Sequence, residues 1–137
     1  MKLISKPTRS QLAGLQQVLN SESDVGIKDL YGPLVTHHIG AGVSGVRSEL
    51  CGAAALSIKS MGGGGELYKL YVAPPFRGTG VGRFLVSESL VVFSQHGIEE
   101  VYIEVTAQSI YFWNVILAGL RYEIVGDRNA IIFLGNA

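Results

Sequence analysis

The chain has 137 residues, with 11 basic and 11 acidic side chains and no net charge. That is the length of one domain, and 47% hydrophobic against 16% charged residues excludes an intrinsically disordered chain. The lone Cys51 excludes a disulfide framework and a multi-cysteine zinc site and suggests a reducing compartment, while the balanced charge argues against a dedicated nucleic-acid binder. The start of the chain is too short for a signal peptide, and no run reaches the about 18 uncharged apolar residues of a membrane span. A cytoplasmic domain engaging neither nucleic acid nor membrane is expected.

Residues 2–6 read as a short first strand ended by Pro7. Thr8 and Gln11 have capping-box spacing, and Leu12, Leu15, Val18 and Leu19 recur at helical intervals, which predicts a helix over 9–20. Residues 27–34 read as a short helix or irregular segment broken by Gly32-Pro33. Two hairpin strands follow at 35–46 and 50–60, turning at Arg47-Ser48-Glu49, and then the connection Gly62 to Gly65. A strand at 66–72 leads through Pro74-Pro75 and a glycine-rich turn into a helix that His96-Gly97 caps. A strand at 101–107, an aromatic helix at 109–118, and strands at 120–125 and 130–134 around Gly126-Asp127-Arg128-Asn129 complete the chain. The sum is an α/β fold with a mixed sheet and a strand–glycine turn–helix unit at its centre.

Eighteen glycines exceed the average share of about 7%, and the run Arg77-Gly78-Thr79-Gly80-Val81-Gly82 is the informative cluster. Lying between a strand and a helix, it offers backbone N–H groups and a helix dipole to an anion such as phosphate. It is not a P-loop, because Gly82 is followed by Arg83-Phe84 rather than Lys-Ser/Thr. Nor is it a dinucleotide fingerprint, which needs a glycine where Arg83 stands. Taken alone, such glycines also suit a plain tight turn.

With its flanks, the run from Leu70 to Gly82 resembles the acetyl-CoA motif of the GCN5-related N-acetyltransferases (GNAT family). Val72, Pro74, Arg77, Gly80 and Gly82 carry that motif, and the likeness extends over residues 66–134. It implies a single domain over residues 1–137, with helices flanking a mixed sheet splayed between the strands at 66–72 and 101–107. It also implies acetyl-CoA as co-substrate, without a metal. The pyrophosphate would sit on backbone amides from Gly78 through Thr79, Gly80, Val81 and Gly82 to Arg83. The pantetheine arm would pair with Leu70, Tyr71 and Val72, leaving the Val72 N–H to stabilise the oxyanion of a tetrahedral intermediate. Gln108 stands where the family has asparagine and can still hydrogen-bond.

The implied reaction is direct acetyl transfer to a primary amine of a small molecule or peptide, and a homodimer is compatible with the family. Glu66, on the central strand, is the first candidate for the base and Glu104 the second; His37 and His38 read as surface residues. The family's thiolate-protonating tyrosine falls at Val115, which cannot donate a proton. Tyr111, one turn earlier, is the substitute, unless it only packs the helix. Glu22, Asp24, Asp29 and Asp127 in the acceptor-side segments mildly favour a cationic amine. Two other readings stay open, a coenzyme-binding regulatory module without turnover and a structural domain with a tight turn.

Overall fold

The computed structural model describes residues 1–22, 27–42, 49–59 and 63–135. The expected turn at Arg47-Ser48 and the residues Gly45, Gly62 and Asp24 lie outside them. The elements run β1 (Lys2–Ile4), α1 (Arg9–Asn20), β2 (His37–Gly42), β3 (Leu50–Ile58) and β4 (Gly65–Val72). A single 3-10 turn (Pro74–Phe76) precedes α2 (Val81–Gln95), and β5 (Glu100–Glu104), α3 (Ile110–Leu117), β6 (Tyr122–Val125) and β7 (Asn129–Phe133) follow. One seven-stranded sheet results, in the order β1-β2-β3-β4-β5-β7-β6. All its ladders are antiparallel except β4–β5, which is parallel, so the sheet is mixed as expected.

Local chemistry explains the helix ends. Thr8 and Gln11 form the reciprocal capping box of α1, each side chain bonding the other's backbone N–H. At the end of α2, Gly97 takes φ +73 and the N–H of Ile98 reaches back to the Phe93 carbonyl. The segment 27–36 holds no helix. Instead Leu30 is buried and Gln16 of α1 fastens the segment, donating to the Lys28 carbonyl and accepting from the Leu30 N–H. The strand expected over 101–107 stops at Glu104, because Thr106 and Ser109 bond each other in a tight turn leading into α3.

The sheet carries a core on each face. On one, Leu12, Leu15 and Leu19 of α1 pack with Leu30, Leu50 and Tyr71. On the other, α2 (Val81, Leu85, Phe93) and α3 (Trp113, Leu117) cover strand residues such as Leu67, Val101 and Ile132. β3 is covered on both sides, which explains its run Ala53-Ala54-Ala55: small side chains let helices approach a central strand from both faces.

Two features of β4 open the sheet. Its ladder with β5 has only two rungs, Gly65 with Val101 and Glu66 with Tyr102. Its ladder with β3 passes from Lys69 opposite Ala55 to Leu67 opposite Leu56, leaving Tyr68 as an extra residue in a bulge. A bulge bends its strand, and beyond Glu66 the strands β4 and β5 are no longer paired.

Candidate active site

The backbone of β4 faces the gap in a definable way. The Ala73 N–H donates to the Cys51 carbonyl at 2.8 Å, so residue 73 is turned toward β3. In an antiparallel ladder bonded and non-bonded positions alternate. Val72, opposite Gly52, and Leu70, opposite Ala54, therefore direct their N–H and C=O groups away from β3 and into the gap. Apart from the Val72 carbonyl, which Arg77 Nε already bonds, these are the amide groups an extended, amide-rich ligand can pair with.

The gap widens into a cleft of about 820 Å³. β4 from Glu66 to Val72 forms one wall, Glu104 and Thr106 another, and Phe112 and Trp113 of α3 also line it. Glu66 and Glu104 stand on opposite strands, and among the described residues neither carboxylate has a hydrogen bond or ion pair. Lys69 is committed elsewhere, its ammonium donating to the carbonyls of Asp29 and Tyr31 and so tying segment 27–31 to the bulged strand. The Asp29 carboxylate accepts from the Tyr31 N–H at 2.8 Å, and Asp29 also lines the cleft.

The glycine turn stands at the end of β4. Gly78 and Gly80 adopt φ of +76° and +92°, a left-handed conformation that glycine takes without steric cost, and no atom lies within 4 Å of where a Cβ would stand on either. Gly80 is the N-cap of α2 and supplies no side-chain cap, and the first turn of α2 has no acidic residue. The amides opening this 15-residue helix are thus left without side-chain partners, beside open space and with no competing carboxylate. That arrangement fits the diphosphate of a coenzyme. Gly82 serves differently: a Cβ there would come within 2.8 Å of the Phe112 ring, so its absence lets α2 dock against α3.

Of the residues singled out in the sequence, Glu66, Leu70, Tyr71, Val72, Arg77, Gly82 and Gln108 line the cleft. Gly78, Thr79 and Gly80 lie on the exposed turn and Arg83 is exposed in the first turn of α2, while Val81 is buried in the core, leaving only its backbone for a ligand. Tyr111 is not brought to the site. Its side chain is 83% exposed and lines no part of the cleft, and Val115, 60% exposed, does not line it either. His38 is half-buried and bonds the Leu30 carbonyl, while His37 packs edge-on against His96.

A network that the sequence did not announce joins three elements. The Glu22 carboxylate, just beyond α1, accepts a hydrogen bond from the Tyr71 hydroxyl and, at 2.8 Å, one from Arg77 Nη2. Arg77 also donates from Nε to the Val72 carbonyl at 3.0 Å, and its guanidinium lies 5.7 Å from the Tyr71 ring centroid. The bonds from Arg77 and then Tyr71 hold the Glu22 carboxyl below the usual range. Burial, reinforced by Glu22, pushes the Tyr71 phenol up to about 12. Glu22 is therefore not free to meet an acceptor amine, which corrects the expectation drawn from its charge. Among the described residues there is no group of three or more His, Cys, Asp or Glu able to hold a metal, and no helix is long and apolar enough to cross a membrane.

Comparison with known proteins places the chain in a family. Residues 21–114 match the model of the Acetyltransferase (GNAT) family. The chain belongs to the GNAT acetyltransferases, and the seven-stranded mixed sheet is the fold of that family. No curated protein sequence matches it. Similar solved structures include a GNAT-family acetyltransferase from Staphylococcus aureus Mu50, with a TM-score of 0.70, 15% identity, and coverage of 98% of this chain and 99% of the other. The PaiA N-acetyltransferase of Thermoplasma acidophilum, crystallised with coenzyme A, aligns with a TM-score of 0.69 at 17% identity, covering 97% and 99%. An aminoglycoside 6'-N-acetyltransferase, also complexed with coenzyme A, aligns with a TM-score of 0.70 at 15% identity, covering 100% and 99%. At these identities the structural likeness establishes the fold.

Proposed function

We propose that residues 1–137 form one N-acetyltransferase domain that binds acetyl-CoA along the splayed edge of β4 and transfers its acetyl group directly to a primary amine of a small molecule or peptide. The carrying observation is the juxtaposition of an uncapped, glycine-opened α2 with the Leu70 backbone and the Val72 N–H, which β3 leaves unpaired, the Val72 carbonyl being held by Arg77. Amides from Gly78 to Arg83 take the diphosphate, and β4 takes the pantetheine amides in the manner of an added strand. The coenzyme complexes of the two relatives support this reading.

In the reaction the amine nitrogen bonds to the acetyl carbonyl carbon, the carbon–sulfur bond breaks, coenzyme A leaves as thiolate, and the nitrogen releases a second proton to solvent as the neutral amide forms. The ammonium acceptor must first lose a proton, and Glu66, unpartnered on the cleft wall, is the first candidate to take it, with Glu104 across the gap as the second. The Val72 N–H, directed into the gap, is the donor for oxygen charge developing on the thioester. No tyrosine is assigned as acid, since a thiolate, with a pKa of about 8.5, departs without one. Relatives whose acceptor is an aminoglycoside make a cationic small-molecule amine the first class to test.

A screen of amines with acetyl-CoA and free-thiol detection tests the proposal. Acceptor-dependent thiol release is expected. Binding of acetyl-CoA without release to any acceptor would instead make the chain a coenzyme-binding regulatory module.

A further inference from the structure

The Arg77 side chain belongs to the run that resembles a phosphate-binding turn, yet it points elsewhere. Its Nε bonds the Val72 carbonyl, its Nη2 bonds Glu22, and its guanidinium approaches the Tyr71 ring. All three contacts lie at the end of β4 or beyond α1, and none is with residues 78–83. The charge of Arg77 is also matched by that of Glu22, so the pair presents no net charge to a diphosphate.

The bond to Val72 has a chemical consequence. Val72 directs both an N–H and a C=O into the gap, and an oxygen approaching the N–H would meet the lone pairs of the neighbouring carbonyl. A guanidinium N–H seated on that carbonyl cancels the repulsion and leaves Val72 as a donor only. Arginine suits the task because one planar fork serves Val72 and Glu22 together. The Glu22 carboxylate, fixed by the Tyr71 hydroxyl as well, holds the fork in place.

We infer that Arg77 is a positioning residue for the acyl end of the cleft, held on the Val72 carbonyl by Glu22, and is not a phosphate ligand. The inference rests on the acetyl-CoA reading above and adds to it a division of labour within the motif. The backbone of the turn holds phosphate, and the side chain that opens the turn prepares the thioester site.

The test compares acetyl-CoA with coenzyme A by calorimetry, in wild type and in Arg77→Met, Glu22→Gln and the double variant. A side chain serving the acyl end weakens acetyl-CoA about fivefold, the scale of one hydrogen bond, and leaves coenzyme A within about twofold. The double variant should be no weaker than Arg77→Met alone, since Glu22 acts through Arg77. Equal losses for the two ligands would make Arg77 a phosphate ligand, and unchanged affinities for both would reduce the pair to a surface contact; either overturns the inference. Should Arg77→Met fail to fold, Arg77→Lys keeps the charge beside Glu22 but lacks the fork, and the same selective loss is expected. A wild-type protein that binds neither ligand would overturn the coenzyme reading itself, a result distinct from an altered ratio.

Discussion

Glu66 pairs with Tyr102 in the last rung between β4 and β5, and from that rung onward the two strands part. The carboxylate therefore stands where the sheet opens. In the proposed mechanism it accepts the acceptor's proton, so Glu66→Gln, which keeps size and polarity but loses basicity, should lower kcat/KM about 100-fold or more. Acetyl-CoA affinity should stay unaltered. Steady-state kinetics with an acceptor from the screen measure both, and wild-type rates in Glu66→Gln would pass the role to Glu104 or to water.

Tyr111 projects into solvent away from the cleft walls. Tyr111→Phe should therefore leave turnover within about twofold of wild type, far short of the effect general acid catalysis usually carries. Val115→Tyr should bring no gain. A clear loss in the first variant, with melting temperature unchanged, would return the proton-donor role to Tyr111.

Two glycines of the turn should fail in different ways. At Gly80 any side chain suffers the positive φ, so Gly80→Ala measures strain alone, about 1–2 kcal/mol of stability. Gly80→Asp adds a negative charge where the diphosphate is expected and should cost at least a further order of magnitude in acetyl-CoA affinity, about 1.4 kcal/mol. Equal affinities in the two folded variants would remove the pyrophosphate assignment. Gly82→Val instead drives into the Phe112 ring and should lower stability by about 1–3 kcal/mol through overpacking, seen as a fall in melting temperature.

The Glu22 network gives stability a pH dependence of known sign. A carboxyl whose folded pKa lies below its unfolded value stabilises the fold above the unfolded value, near 4.5, and loses that contribution as pH falls through the lower folded one. Glu22→Gln should thus be less stable than wild type near pH 7, by at most about 1 kcal/mol because the Arg77 side chain is half exposed. The gap should close as the pH drops below 4.5. Urea unfolding at several pH values reads this directly, and a gap independent of pH would contradict it. Tyr71 works at the other end: its phenol is pushed up to about 12, and stability should fall as the pH rises from 10 toward that value.

Much of this architecture was legible because it is written in local chemistry. The Thr8–Gln11 box, the Gly97 cap and the alternation of Val101 and Ile103 each need only a few neighbouring residues. The glycine turn was legible for the same reason, being continuous in sequence. What escaped depends on distant partners. Glu22 and Arg77 are 55 residues apart, and nothing in either neighbourhood points to the other. Segment 27–34 took its shape from Gln16 and Lys69 rather than from its own propensities. For α3, spacing placed Tyr111 and Val115 on one face, but the docking of Trp113 and the packing of Phe112 on Gly82 set which side lines the cleft.

If the glycine turn and the open edge of β4 together bind acetyl-CoA, amide NMR of the wild-type protein titrated with acetyl-CoA should report both at once. The largest shifts are predicted at the amides from Gly78 to Arg83 and at Leu70 and Val72, saturating together at one equivalent. An unchanged spectrum, or shifts concentrated away from both segments, would show that acetyl-CoA does not bind there.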